Sequence, residues 1–385
     1  MERRDFLRGL GSAGAAAALT ACARPFQLSR SGMLGTASTP VADRDPDGLW
    51  AEAAAYARWT PSPHNIQPWR LRIVAPDSAE LYADLTRRLP NTDPRSAFTS
   101  MSLAMFVENL SIALAPRGFA IRAEYVGRPL DYSATKPELF ATLTMERMPV
   151  SLDAVASREL LLQRQTSRLP YDGTRVDELA LVELSRRASR AGLQFDWTHD
   201  PDTVNGVIAL NRVALFTDLD DNAQRTELRQ WIRTSDAEAA RSKDGLWSHC
   251  LRFPGWLLKD FFDKHEQWGR GRRADVCGRL LLRGMRGTRT VAWWSGAFEQ
   301  PVDWIRAGRV FAHSWLALAR QGIQLHPFGS IVTNVRAHKE LLEQLGPRTP
   351  QQPIWMLVRI GRSSTPPRSY RLDAADMFLT DSELS

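Results

Sequence analysis

The feature that most constrains this chain is a segment that occurs twice. Asn109 to Ile121, NLSIALAPRGFAI, lines up without a gap on His313 to Leu325, HSWLALARQGIQL, with Ala-Leu-Ala and a Gly in the same places. Each copy reads as an apolar helix, small enough at Ala to pack closely, ended by a Gly suited to a left-handed cap and followed by a strand. Helix, Gly and strand in that order are common punctuation, but the gapless match favours duplication. At 385 residues the chain is long enough for two domains or one large one with a full core.

The N-terminus reads as an address rather than as fold. Arg3 and Arg4 precede a weakly apolar stretch, Gly9 to Ala23, which is too short to span a bilayer. It resembles a twin-arginine export signal. Gly9 to Gly14 matches the dinucleotide fingerprint in form, but lacks the strand before it and the helix after it that give the fingerprint meaning. Leu19-Thr20-Ala21-Cys22 resembles a lipobox with Cys22 as the lipidated residue; cleavage after Ala23 is the alternative. Either way the expectation is a signal over 1–22 and an exported chain, periplasmic or a membrane-anchored lipoprotein. Residues 23–48, rich in Ser, Thr, Pro, Gly and Asp, read as a flexible tether.

Export gives Cys250 and Cys277 a compartment that permits a disulfide. They pair or stand as two structural thiols; neither lies in a metal-ligand spacing. The net charge of +7 is carried mostly by dispersed arginines, with one denser run from Arg270 to Arg289. An exported chain has little access to nucleic acid, so an anionic membrane surface or an acidic ligand is the better partner, and an ordinary solvated face the plainest reading.

Helices are expected at Val176 to Ala191, Asp202 to Leu215 and Gln224 to Arg233. Strands are expected at Arg70 to Val74, Leu193 to Thr198 and Pro353 to Gly361. The stretch from Ser235 to Gln300 carries Trp247, Trp256, Trp268, Trp293 and Trp294; it is too apolar for a free loop and too interrupted for a regular domain. It reads as a helical, Trp-rich lid. The mixture suits an α+β layered fold.

Two short motifs carry the chemistry. Thr60-Pro61-Ser62-Pro63-His64-Asn65-Ile66-Gln67-Pro68-Trp69 precedes the first strand, and Arg164-Gln165-Thr166-Ser167-Arg168 follows a helix further on. Arginines at 164, 168 and 371 can each supply charge-assisted, bidentate hydrogen bonds to a phosphate, and Thr166 adds a hydroxyl. Gly329 and Ser330 offer backbone donors with little side chain in the way. Asn65 can donate and accept. Taken singly, Arg164 and Arg168 also suit a solvated helix face, Ser62 an N-cap and Trp69 a core strand residue.

The first motif resembles the PSxxNxQPW segment of the FMN-dependent nitroreductase family, and the second that family's RxSxR segment with Thr166 in place of Ser. Leu325-His326-Pro327-Phe328-Gly329-Ser330 resembles its P-x-G turn, and Arg368-Ser369-Tyr370-Arg371 its closing basic pair. The resemblance implies a nitroreductase-like α+β fold in which two fused halves, 49–155 and 156–385, form a monomeric pseudo-dimer with a lid insertion at about 235–300. It implies one FMN held by Arg164, Thr166, Arg168, Arg368 and Arg371 on the phosphate side, and by Pro61, Ser62, Asn65, Pro327, Gly329 and Ser330 around the ring. Single-chain, lidded relatives of the Acg-like group are the best match.

The expected activity is two-electron reduction of a nitroaromatic, quinone or similar small acceptor through FMN, with a quinol or redox protein as donor outside the cytoplasm. The alternative is an FMN-binding or sequestering protein whose lidded flavin turns over little.

Overall fold

The computed structural model describes residues 44–45, 47–265 and 272–384. The twin-arginine segment, Cys22 and nearly all of the expected tether lie outside them, as does Trp268.

Two antiparallel sheets of four strands organise the chain. After α1 (Leu49–Ala57), the first sheet is built from β1 (Trp69–Ala75), β2 (Ser78–Ala83), β3 (Phe119–Tyr125) and β4 (Glu138–Arg147), in the order β1-β2-β4-β3. The long helix α2 (Ala97–Leu114) lies within this part, and α3 (Ala154–Gln163) leads out of it. Next come α4 (Glu178–Arg190), β5 (Gln194–Thr198), α5 (Pro201–Asp220) and α6 (Asn222–Trp231). β6 (Ile232–Arg233) and β7 (Leu246–Trp247) form a two-residue parallel ladder. The same stretch of chain holds α7 (Asp236–Ser242), α8 (Ser248–Leu251), α9 (Gly255–Asp263) and α10 (Arg272–Gly284). The second sheet runs β5-β8-β10-β9, with β8 (Thr290–Ser295), β9 (Gln324–Pro327) and β10 (Ile354–Gly361). Its long helix is α11 (Pro301–Arg320), and α12 (Gly329–Thr333) and α13 (Val335–Leu345) fill the connection from β9 to β10.

Both copies of the repeated segment take the expected form. Gly118 after α2 and Gly322 after α11 have φ of 79° and 69°, the left-handed region where a Cβ is penalised. Each then feeds an edge strand, β3 or β9, which pairs with the next strand of its own sheet. The two repeated helices pack on each other. A Cβ at Gly308 would stand 2.3 Å from the Met101 carbonyl oxygen, so the crossing needs Gly there. Glu108 of α2 reaches Arg309 at 2.6 Å and His313 at 2.8 Å across the same contact.

The faces of the second sheet explain its sequence. Trp294, Val358 and Ile360 turn to α11, while Val291, Trp293 and Leu357 turn to α5 and α13. With both faces covered, β8 has no apolar-polar alternation. This corrects the reading of 235–300 as a lid: Trp293 and Trp294, both fully buried, belong to an inner strand of the sheet, so any insertion ends before Thr290. Trp247 is buried and Trp256 is 71% exposed. Cys250 and Cys277 are free, buried thiols in separate apolar clusters.

Candidate functional site: a buried arginine cluster around Trp59

The chain leaves α3 at Arg164, whose backbone (φ −58°, ψ 125°) is no longer helical, and Thr166 forms a parallel bridge with Leu325 beside β9. Arg164 and Arg168 therefore sit on an extended segment, and the solvated helix face is excluded. Arg164 is buried. One Nη donates to the Trp59 carbonyl at 2.7 Å, its guanidinium carbon lies 4.4 Å from the ring centroid of Trp315, and its other Nη has no partner.

The C-terminal segment brings two cations to the indole of Trp59. The guanidinium carbons of Arg368 and Arg371 lie 3.7 Å and 5.7 Å from the Trp59 ring centroid. Arg368 donates to the Leu162 carbonyl and keeps Nε and one Nη unpartnered; Arg371 donates to the Tyr370 carbonyl at 3.0 Å and keeps Nε unpartnered. Arg58 approaches the same ring at 5.6 Å and pairs with Asp373 at 3.2 Å. Among the described residues, no carboxylate pairs with Arg164, Arg368 or Arg371.

The energetic consequence is plain in their proton affinities. Burial, then repulsion from Arg371 and Arg368, pushes Arg164 well below the ordinary arginine range. Burial, then Arg371 and Arg58, pushes Arg368 down to about 9, and burial chiefly brings Arg371 to about 10. Several cations are thus held out of water without counter-charge, a costly arrangement that a bound anion relieves. Unfilled N–H donors in forked geometry match phosphate oxygens.

Arg168 is half-buried; its charge and that of Arg371 both act on the Cys250 thiol, which donates to the Pro367 carbonyl at 3.6 Å. Burial and the charge of Arg168 push the half-buried His64 down to about 4.

The loop from Pro61 to Gln67 holds three non-glycine residues in the left-handed region: His64, Asn65 and Gln67, with φ of 46°, 57° and 51°. Strain of this kind persists only where surroundings enforce it. Here the Asn65 amide donates to the Gly245 and Tyr370 carbonyls at 3.0 and 3.2 Å, and Gln67 donates to the Lys243 carbonyl and accepts from Leu372 N. Both Asn65 amide hydrogens are therefore used, and its buried Oδ1 is left as an acceptor without a partner. Ser62 does not cap; its Oγ accepts from Gln67 N at 2.9 Å. Trp69 is a core strand residue stacked on Phe106.

Of the expected site residues, Arg164, Arg368 and Arg371 converge on Trp59, Asn65 joins them through Tyr370, and the charge of Arg168 reaches the Cys250 thiol that Arg371 also reaches. Pro61 is half-buried beside that loop. Pro327 ends β9, Gly329 is open on its Cβ side, and Ser330 turns its hydroxyl to Asp218. No described contact ties Gly329 or Ser330 to the arginines. Arg58, Trp59, Lys243 and Asp373 were not anticipated; Arg58-Trp59 directly precedes the Thr60–Trp69 motif, which was the available signal. Open clefts of about 620 and 440 Å³ are lined by none of the site residues.

The chain is 26% identical over 299 residues to PigM of a Serratia strain, named a probable NAD(P)H nitroreductase, covering 74% of this chain and 81% of that one. The chain is thus similar in sequence to proteins named as nitroreductases. A second such relative, Rv3131 of Mycobacterium tuberculosis, provisionally named an NAD(P)H nitroreductase, is 26% identical over 171 residues, covering 44% of this chain and 47% of its own length. A solved variant of the FMN- and NADPH-dependent nitroreductase NfnB from a Sphingopyxis strain overlaps 58% of this chain and 98% of its own, at a TM-score of 0.34 and 14% identity. No protein-family model matches the chain.

Proposed function

We propose that this chain is an exported flavoprotein oxidoreductase of nitroreductase type that holds one FMN per chain. The observation that carries the proposal is the set of buried guanidiniums around Trp59 with N–H groups lacking partners, which calls for a polyanion. Arg164, Arg368 and Arg371, with Thr166 and Arg168 beside them, suit the FMN phosphate. The unpartnered Asn65 Oδ1 suits a donor on the flavin edge, with Pro61, Ser62, Pro327, Gly329 and Ser330 as its further surroundings. When bound, FMN supplies the two-electron chemistry. The protein's own part is to neutralise the phosphate, orient the ring and control access.

The two repeated helices, each with a sheet of its own, support a fused pseudo-dimer in which the Pro61–Asn65 motif comes from one half and the Arg164–Arg168 motif from the other. The relatives' names support a nitro compound as acceptor, and a quinone or similar small acceptor suits the same chemistry. Export through Arg3 and Arg4, with Cys22 as a lipid anchor, makes a membrane quinol or a redox protein the fitting donor in place of NAD(P)H.

A second reading, an FMN-sequestering protein, is favoured by one observation: the carbonyls of Lys243 and Gly245 bond to Asn65 and Gln67 and tie that segment to the Asn65 loop. Anaerobic reduction of the FMN-loaded mature protein separates the two. An enzyme is bleached by NAD(P)H, a quinol or a partner protein and recoloured by a nitroaromatic or quinone. A sequestering protein is bleached by dithionite alone.

A further inference from the structure

Arg359 is fully buried in β10 and has no carboxylate partner among the described residues. Its guanidinium is used up on neutral acceptors. One Nη donates to the Ser167 and Leu169 carbonyls at 3.2 and 3.0 Å, the other to the Gly284 carbonyl at 2.8 Å and Thr288 Oγ1 at 3.2 Å. Nε donates to Nδ1 of His326, its cross-strand neighbour on β9, at 3.2 Å. The Tyr171 ring covers it at 4.2 Å.

The two carbonyls it holds flank Arg168. We infer that Arg359, fixed by His326, is a positioning residue for the anion-binding segment: it pins the backbone on both sides of Arg168 and so sets where that guanidinium points. An apolar residue fills a buried strand position more cheaply than a cation does, which makes a structural role alone a poor account of Arg359. Burial together with the charges of Arg168 and Arg359 holds His326 neutral, as an Nδ1 acceptor requires; its proton then resides on Nε2. The inference deepens the FMN reading, because the segment it pins is the proposed phosphate cradle.

Hydrogen exchange of the ligand-free protein over residues 164–170 tests it, alongside FMN titration. Arg359→Lys keeps the charge but cannot bridge both carbonyls and the imidazole; His326→Leu removes the acceptor and His326→Asn restores one. Arg359→Lys and His326→Leu are expected to exchange about tenfold faster or more over 164–170, with His326→Asn near wild type and residues 138–147 unchanged in all three. FMN affinity should fall in the same order. Wild-type exchange in a folded Arg359→Lys, or equal behaviour of the two His326 variants, would overturn the inference. If Arg359→Lys does not fold, the His326 pair decides alone. If the wild type refuses FMN, the functional reading falls while the exchange result still decides this one.

Discussion

The guanidinium carbon of Arg368 stands 3.7 Å from the ring centroid of Trp59, with two of its nitrogens unpartnered and buried. A cation stacked this closely and left without a counter-ion is stored unfavourable charge. Arg164→Met and Arg371→Met should therefore leave the ligand-free protein as stable as wild type or more so. FMN affinity should drop by about tenfold to a hundredfold, the cost of a charge-assisted contact of about 1.5–3 kcal/mol. Thermal melts with and without FMN check both signs at once.

The same cluster predicts how His64 titrates. Its folded value of about 4 lies below the ordinary 6.5, so the unfolded chain takes the proton first and stability falls as pH drops from about 6.5 toward 4. A bound phosphate offsets the charge of Arg168 and should raise the His64 value. NMR titration of the imidazole with and without saturating FMN reads the shift; no change would place the anion away from Arg168.

Between the two repeated helices, burial works against the Glu108 carboxylate, but His313 and Arg309 outweigh it and hold the group below the usual range. Its contribution is present above the unfolded carboxylate value and is lost as pH falls through the depressed one. Glu108→Gln should cost about 1 kcal/mol near neutral pH, since Arg309 is exposed and His313 half-buried, and the difference from wild type should vanish in acid. Denaturant melts at two pH values measure it.

Asp373 ties Lys243 to Arg58 beside the cluster. Asp373→Asn weakens both contacts where the 243–245 segment closes on the Asn65 loop, and should speed FMN release more than it slows FMN binding. Stopped-flow fluorescence gives both rates; equal release from variant and wild type would mean that this contact does not gate the site.

What the sequence made legible was local. Gly118 and Gly322 announced two helix-to-strand corners because a left-handed cap leaves a mark at one residue, and Arg164, Arg368 and Arg371 stood out as arginines in short motifs. Trp293 and Trp294 were misplaced because an inner strand covered on both faces has no period of two to detect. Arg359 was invisible for a related reason: in an apolar run it looks like a strand residue, and its role depends on carbonyls almost two hundred positions away. The Lys243–Asp373 link joins segments that no motif relates.

The most direct test of the central claim is the FMN content of the purified mature protein, read from its absorbance before and after denaturation. A yellow protein with one FMN per chain is expected, with loss of colour on mild dialysis of Arg164→Met or Arg371→Met. A colourless protein that refuses added FMN, or one that carries two, would contradict it.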